Sequence, residues 1–192
     1  MSQPDHITAL NLHYPARDAL PSEVKKYFDK CDEKLGMVPN VLTAYSQNLA
    51  QLEVFSKFYN ELMFGDSNLT PLEREMIATA VSSRNHCFYC VAAHGAAVRE
   101  YSGDPALGEL IAINYRAADL SLRQRAMLDF AVKLTDSPDA IAEHDRQTLR
   151  DAGFSDQDIW DIANVAGFYN MTNRVASAVN MQPNKQYHGQ SR

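Results

Sequence analysis

From Ser22 onward the apolar residues of this chain recur at spacings of three and four, and run after run opens on a capping residue or closes on a glycine. That period is helical, because side chains share a helix face about every 3.6 residues; the alternation that marks a half-buried strand is missing. Val24, Tyr27, Phe28, Cys31 and Leu35 predict a first helix from Ser22, ended by Gly36 in the left-handed conformation. After the turn Gly36-Met37-Val38-Pro39-Asn40, Asn40 is expected to cap a short helix through Tyr45, and Leu49 to Phe64 reads as a third helix closed by Gly65. The strongest start is Thr70-Pro71-Leu72-Glu73, with a capping hydroxyl, proline at the first helical position and glutamate at the third. Leu72, Met76, Ile77, Ala80 and Val81 supply the buried stripe of that helix, and Ser82-Ser83-Arg84-Asn85 is expected to break it. Further helices are expected from about Phe88 to Tyr101, Asp104 to Ile113, Ser121 to about Leu134, Glu143 to Asp151 and Ser155 to about Val179. The expected fold class is all-α, as one domain over residues 1–192.

Composition sets the environment of that domain. With 45% hydrophobic and 22% charged residues the chain has the makeup of a soluble globular protein, and 192 residues are enough to bury a core. The net charge of −6 is spread without a basic block, which argues against nucleic-acid and anionic-membrane partners. No apolar run approaches the ~18 residues needed to span a bilayer, and the N-terminus lacks the pattern of a secretory signal, so the chain is expected to be cytoplasmic. Residues 1–21, with Pro4, Pro15 and Pro21, read as an extended arm, and the polar tail 183–192 as a segment that frays or docks on a partner. Leu69 to Val81 laid over Leu120 to Val132 repeats Leu, Arg, Met, Ala and Val in register. Either a degenerate repeat of a helical hairpin or the common look of capped amphipathic helices accounts for it.

Three cysteines form no disulfide framework, so their spacing carries the information. Cys31 stands alone and reads as a buried helix residue; Cys87 and Cys90 are two residues apart, with His94 one turn on. On a helix these three share one narrow face. Near the helix start, free backbone N–H groups and the dipole favour a thiolate, and such settings bring a thiol from ~8.5 to ~3.5–7.5. Arg84 and His86 lie just upstream as candidate sources of positive potential, whereas Glu75, by position alone, belongs to a solvated polar face with Glu73 and Arg74. Phe88, Val91 and Ile77 are the apolar neighbours that would suit an organic substrate, although core packing explains them equally well. Tyr169, Asn170 and Arg174 are candidates for a cleft near the thiols, and Phe154, Trp160 and Phe168 for the core.

Glu75, eleven intervening residues, Cys87-x-x-Cys90, three more and His94 together resemble the signature of the alkylhydroperoxidase D branch of the carboxymuconolactone decarboxylase superfamily. The Gly36-Met37-Val38-Pro39-Asn40 turn, Leu69 to Glu75, and Asn170-Met171-Thr172-Asn173-Arg174 resemble its longer, peroxidase-related members, over residues 36–179. The resemblance implies an alkylhydroperoxidase D-like helical fold, a homo-oligomer (dimer, trimer or hexamer) and a dithiol that reduces hydroperoxides. Cys90 would become the sulfenic acid, Cys87 would give a proton and then resolve it, and Glu75 and His94 would relay protons. An external dithiol would reduce the resulting disulfide; no cofactor or metal is implied. One departure is Tyr89, where some members carry histidine, which puts a relay through that position in doubt.

Other readings use the same residues. A thiol–disulfide exchanger or redox sensor needs the dithiol but no peroxide. A zinc site has Cys87, Cys90 and His94 but lacks a convincing fourth ligand, and a non-enzymatic scaffold would simply bury two small cysteines.

Overall fold

The computed structural model describes residues 3–192, and every regular element among them is helical. In chain order these are α1 (Ser22–Leu35), α2 (Asn40–Tyr45), α3 (Leu49–Phe64), α4 (Pro71–Arg84), α5 (Phe88–Ser102), α6 (Pro105–Asn114), α7 (Leu122–Asp136), α8 (Glu143–Asp151) and α9 (Asp156–Ala178), with short 3-10 turns before, between and after them. None is long and apolar enough to cross a membrane.

Local chemistry sets the helix ends. Thr70 and Glu73 close a reciprocal capping box on α4, and Ser121 with Gln124 and Ser155 with Asp158 do the same on α7 and α9. Gly36 ends α1 at φ +69°, as the sequence predicts. Two boundaries differ from the expectation. Asn40 is the first residue of α2 and not its cap; its side-chain amide donates to the carbonyl of Gln182 across the fold. Ser82, Ser83 and Arg84 continue α4, and the break falls at Asn85 and His86, the latter at φ +53°. Polar residues alone do not end a helix that packing keeps buried.

α4 runs through the middle of the molecule. All of Glu73 to Ser82 is buried, and the helix packs on α5, α6, α7 and α9. Met76, Ile77, Val81, Met127, Leu128, Ile162 and Val165 form the heart of the core. The polar-face reading of Glu73-Arg74-Glu75 is therefore overturned. Glu73 pairs with Arg123 at 2.8 Å, Arg74 donates to three backbone carbonyls, and Glu75 faces α5 through His94. α5 and α6 cross closely: a Cβ at Gly108 would meet the Gly95 carbonyl oxygen at 2.6 Å, so only glycine fits there.

The two terminal segments dock on the same side of this core. Ala9 donates to the Val179 carbonyl, Gln182 to that of Ile7, and the Asn184 amide to that of Val38. Arg99 on α5 donates to the carbonyls of Tyr187 and Gln190. The tail thus docks on its own chain, buries Tyr187 and covers the N-terminal end of α5. Residues 1 and 2 of the expected arm lie outside the described residues.

Candidate active site

The α4–α5 connection sets the site. After the break at His86, the Cys87 backbone N–H returns to the carbonyl of Ser82, which turns the chain so that Cys87 becomes the N-cap of α5 and Cys90 its third residue. Both thiols are free and nearly closed off, at 2% and 4% exposure. Around them stand Met37, Ala176, Met181, Tyr89 and Tyr187, so the pair sits in an apolar shell with few polar partners.

Those few partners are organised. The Asn85 amide donates to the side-chain oxygens of Asn173 (2.9 Å) and Asn170 (3.0 Å), and Asn173 in turn donates to the Ser82 hydroxyl at 2.9 Å. Asn173 and Ser82 are buried against the dithiol. The Cys90 thiol and its backbone N–H, with Ser177 and Asn173, act on the Cys87 sulfur and outweigh its burial, lowering that thiol from the usual 9 to about 6. Cys90 moves the opposite way: the neighbouring Cys87 sulfur, followed by burial, holds it well above the ordinary range. The two thiols are thus driven apart, and Cys87 is the favoured thiolate of the pair. Neutral donors and the helix N-terminus stabilise this anion. Arg84 is drawn off to Asp136 at 2.8 Å.

A titration checks this assignment. Ultraviolet thiolate absorbance of the reduced protein is expected to rise with a midpoint at about 6, a step absent from Cys87→Ser and moved upward in Asn173→Ala. Because the native value lies below the unfolded one, the reduced protein gains stability from Cys87 above the ordinary thiol range and loses that contribution as pH falls through about 6.

His94 lies one turn beyond Cys90. Its Nδ1–H donates to Glu75 Oε2 at 2.6 Å, with only 12% and 5% of the two side chains exposed. The Tyr169 ring packs edge-on against the imidazole, centroids 4.6 Å apart, and its hydroxyl lies 3.5 Å from the same nitrogen. With Nδ1 engaged, Nε2 is the nitrogen left to exchange protons. Tyr89 serves the packing of the helices instead, since its hydroxyl accepts the Val41 backbone N–H at 3.1 Å and ties α2 to α5.

Cys90 and His94 open on a cavity of about 1040 Å3 between α1, α2, α3, α5 and α9; Cys87 does not line it. The apolar neighbours expected from sequence lie elsewhere. Ile77 is in the core, while Phe88 is half exposed and stacks on His188. Tyr169 lines the cavity as expected of a cleft residue, whereas Asn170 and Arg174 do not: Arg174 caps back onto Asn170 at the surface. Sequence reasoning passed over Cys31, Phe55 and Tyr59, which reach the cavity from α1 and α3. Asn173 was visible only as part of the Asn170 to Arg174 motif. Among the described residues no group of three or more His, Cys, Asp or Glu converges to hold a metal ion.

Comparison with known proteins places this arrangement. The model of the carboxymuconolactone decarboxylase family matches residues 51–112, the stretch that carries Glu75, Cys87, Cys90 and His94. A crystal structure of a peroxidase-related protein from Silicibacter sp. TM1040 is 60% identical, with 100% of both chains covered and a TM-score of 0.96. An alkylhydroperoxidase AhpD core, peroxidase-related protein from Ralstonia eutropha JMP134 is 38% identical over 98% of each chain, with a TM-score of 0.94. A debrominase, 18% identical over 95% of this chain and 94% of its own, shares the fold at a TM-score of 0.77. No curated protein matches the sequence. The chain therefore belongs to the alkylhydroperoxidase D-like group of the carboxymuconolactone decarboxylase superfamily, among its peroxidase-related members.

Proposed function

We propose that the protein is a thiol-dependent peroxidase that reduces organic hydroperoxides at Cys90, with Cys87 as the resolving thiol and Glu75 and His94 as the proton relay. The observation that carries this reading is the division of labour within the dithiol. Cys90 borders the cavity beside His94, while the more acidic Cys87 lies behind it at the helix N-cap.

The chemistry follows from that division. Cys90 passes its proton to the Cys87 thiolate and becomes the nucleophile. Its sulfur attacks the terminal peroxide oxygen, the O–O bond breaks, and the leaving alkoxide takes the proton from Cys87 to depart as alcohol. Cys90 is now a sulfenic acid and Cys87 again a thiolate one helical turn away. Cys87 attacks the Cys90 sulfur and closes the disulfide before further oxidation. The departing hydroxide receives a proton through His94 and leaves as water. The sum is dithiol with one negative charge, hydroperoxide and one proton giving disulfide, alcohol and water. An external dithiol then restores the pair by exchange at the sulfur that faces the cavity. The exposed side chains of Ile113, Leu122 and Trp160 on the outer helices suit assembly into a homo-oligomer.

Stopped-flow mixing of reduced protein with an alkyl hydroperoxide, followed by intact mass and thiol titration, tests the proposal. The wild type should lose two hydrogens, Cys87→Ser should gain a single oxygen as trapped sulfenic acid, and Cys90→Ser should not react faster than free cysteine. Equal, slow oxidation of all three would sink the peroxidase and leave a thiol–disulfide exchanger.

A further inference from the structure

The cavity is far larger than the chemistry at Cys90 requires. A peroxide bond needs only a thiol and a proton donor, yet about 1040 Å3 lies open in front of them, at the upper end of what a bulky organic ligand fills. Along α5 its lining recurs turn by turn, Cys90, His94, Ala97 and Tyr101, which at about 1.5 Å per residue makes a trough about 16 Å long. The small side chains of Ala93 and Ala97 form the floor, and Leu42, Phe55 and Phe168 are among its apolar walls. Tyr59, Tyr101 and Tyr169 add hydroxyls to this lining, but its surface is predominantly apolar.

The mouth is different. Lys30 and Lys34 sit one turn apart on α1, both exposed, on either side of the buried, cavity-lining Cys31. Other lysines of the chain have partners: Lys26, Lys57, Lys133 and Lys185 are in ion pairs, and Lys25 donates to the Asp18 carbonyl. Lys30 and Lys34 are in no ion pair among the described residues. Glu100 lines the opposite wall, so the rim carries two positive charges and one negative on a molecule whose net charge is −6. Two unpaired cations at the entrance of an apolar trough complement an amphiphile with an anionic end.

Resting on the peroxidase reading, we propose that the trough binds an elongated hydroperoxide with a carboxylate head, of the fatty-acid hydroperoxide class. The chain lies along Ala93 and Ala97, the carboxylate is held at Lys30 and Lys34, and the peroxide lies at Cys90.

Two measurements on the full reduced chain test this. Calorimetric titration with oleate, which carries no peroxide, should show one saturable site per chain. Binding should weaken about tenfold for methyl oleate and for the double variant Lys30→Glu, Lys34→Glu. Turnover should show kcat/KM for linoleate hydroperoxide above that for tert-butyl hydroperoxide, and the ratio should fall at least tenfold in the same variant and in Ala97→Phe. Equal affinity for oleate and its methyl ester, or no oleate binding by a protein that reduces tert-butyl hydroperoxide, would overturn the assignment. Oleate binding with the expected dependence on Lys30 and Lys34, but no reduction of any hydroperoxide, would support the ligand class and sink the peroxidase reading instead.

Discussion

Glu75→Gln is expected to slow peroxide reduction by about 10²-fold to 10³-fold while leaving the fold in place, because it removes a charge without removing a contact. In the native protein Glu75 Oε2 accepts the Nδ1–H of His94 at 2.6 Å, and both side chains are nearly sealed from water. A glutamine keeps an oxygen at that position, so the imidazole retains its orientation and the Tyr169 ring its edge-on packing. In the proposed relay, what disappears is the negative charge that lets the imidazole carry an extra proton when it feeds the departing hydroxide. Water cannot replace it, since Glu75 is buried; its charge also adds to burial in suppressing the ionisation of the phenols of Tyr59, Tyr169 and Tyr187. Single-turnover stopped-flow with tert-butyl hydroperoxide reads the rate, and thermal unfolding checks the fold. If both residues act as one relay, His94→Ala and the double variant should lose no more than a further small factor. An unchanged single-turnover rate in Glu75→Gln would remove the pair from the mechanism.

Much of the fold was legible because its signals are local. Thr70 and Glu73, Ser121 and Gln124, and Gly36 fix helix ends through contacts within a few residues, and the same locality put Cys90 and His94 one turn apart on α5, although Cys87 is its N-cap and does not share their cavity. The features the sequence could not reveal depend on contacts far apart in the chain. Asn40 is a good cap by type, yet the backbone of Gln182 competes for its side chain, and Pro39 takes the cap position instead. Ser82 and Ser83 resemble a break only until α9 supplies Asn173 and α6 the Ala112 carbonyl as partners for their hydroxyls. The tail docks through Asn184, Tyr187 and Gln190, with no periodicity of its own to announce it. Glu75 entered through family resemblance, since residue type cannot say which of three adjacent charged residues is buried against a histidine nineteen positions on. The cavity was beyond reach for the same reason: five helices contribute to it, and the apolar residues nearest the thiols in sequence pack elsewhere.

Arg74→Met is expected to destabilise the protein by about 3 kcal/mol or more, although Arg74 touches neither thiol nor cavity. Its side chain is buried, at 4% exposure, and has no carboxylate partner among the described residues. Nε donates to the Leu69 carbonyl at 3.1 Å, Nη1 to Leu62 at 3.3 Å and Nη2 to Gly65 at 2.8 Å. Leu62 and Gly65 lie at the C-terminal end of α3, where carbonyls lack intrahelical donors and the dipole is negative, so a guanidinium on α4 closes off the neighbouring helix. Methionine fills much of the volume but leaves three acceptors unpaired, at roughly 1–3 kcal/mol for each that water does not reach. Lysine should recover only part of the loss, since one ammonium cannot span three carbonyls held in a planar fork. Denaturant unfolding at equilibrium measures the effect; a midpoint like that of the wild type would mean that water already serves these carbonyls. The folded fraction of Arg74→Met should still show the Cys87 titration near 6, because none of the groups that set it has moved. Glu75→Gln should do the reverse, keeping stability and losing rate. Two adjacent residues of one helix, alike in sequence as a charged face, are thus separable by experiment into one that joins helices and one that, in the proposed relay, serves the dithiol.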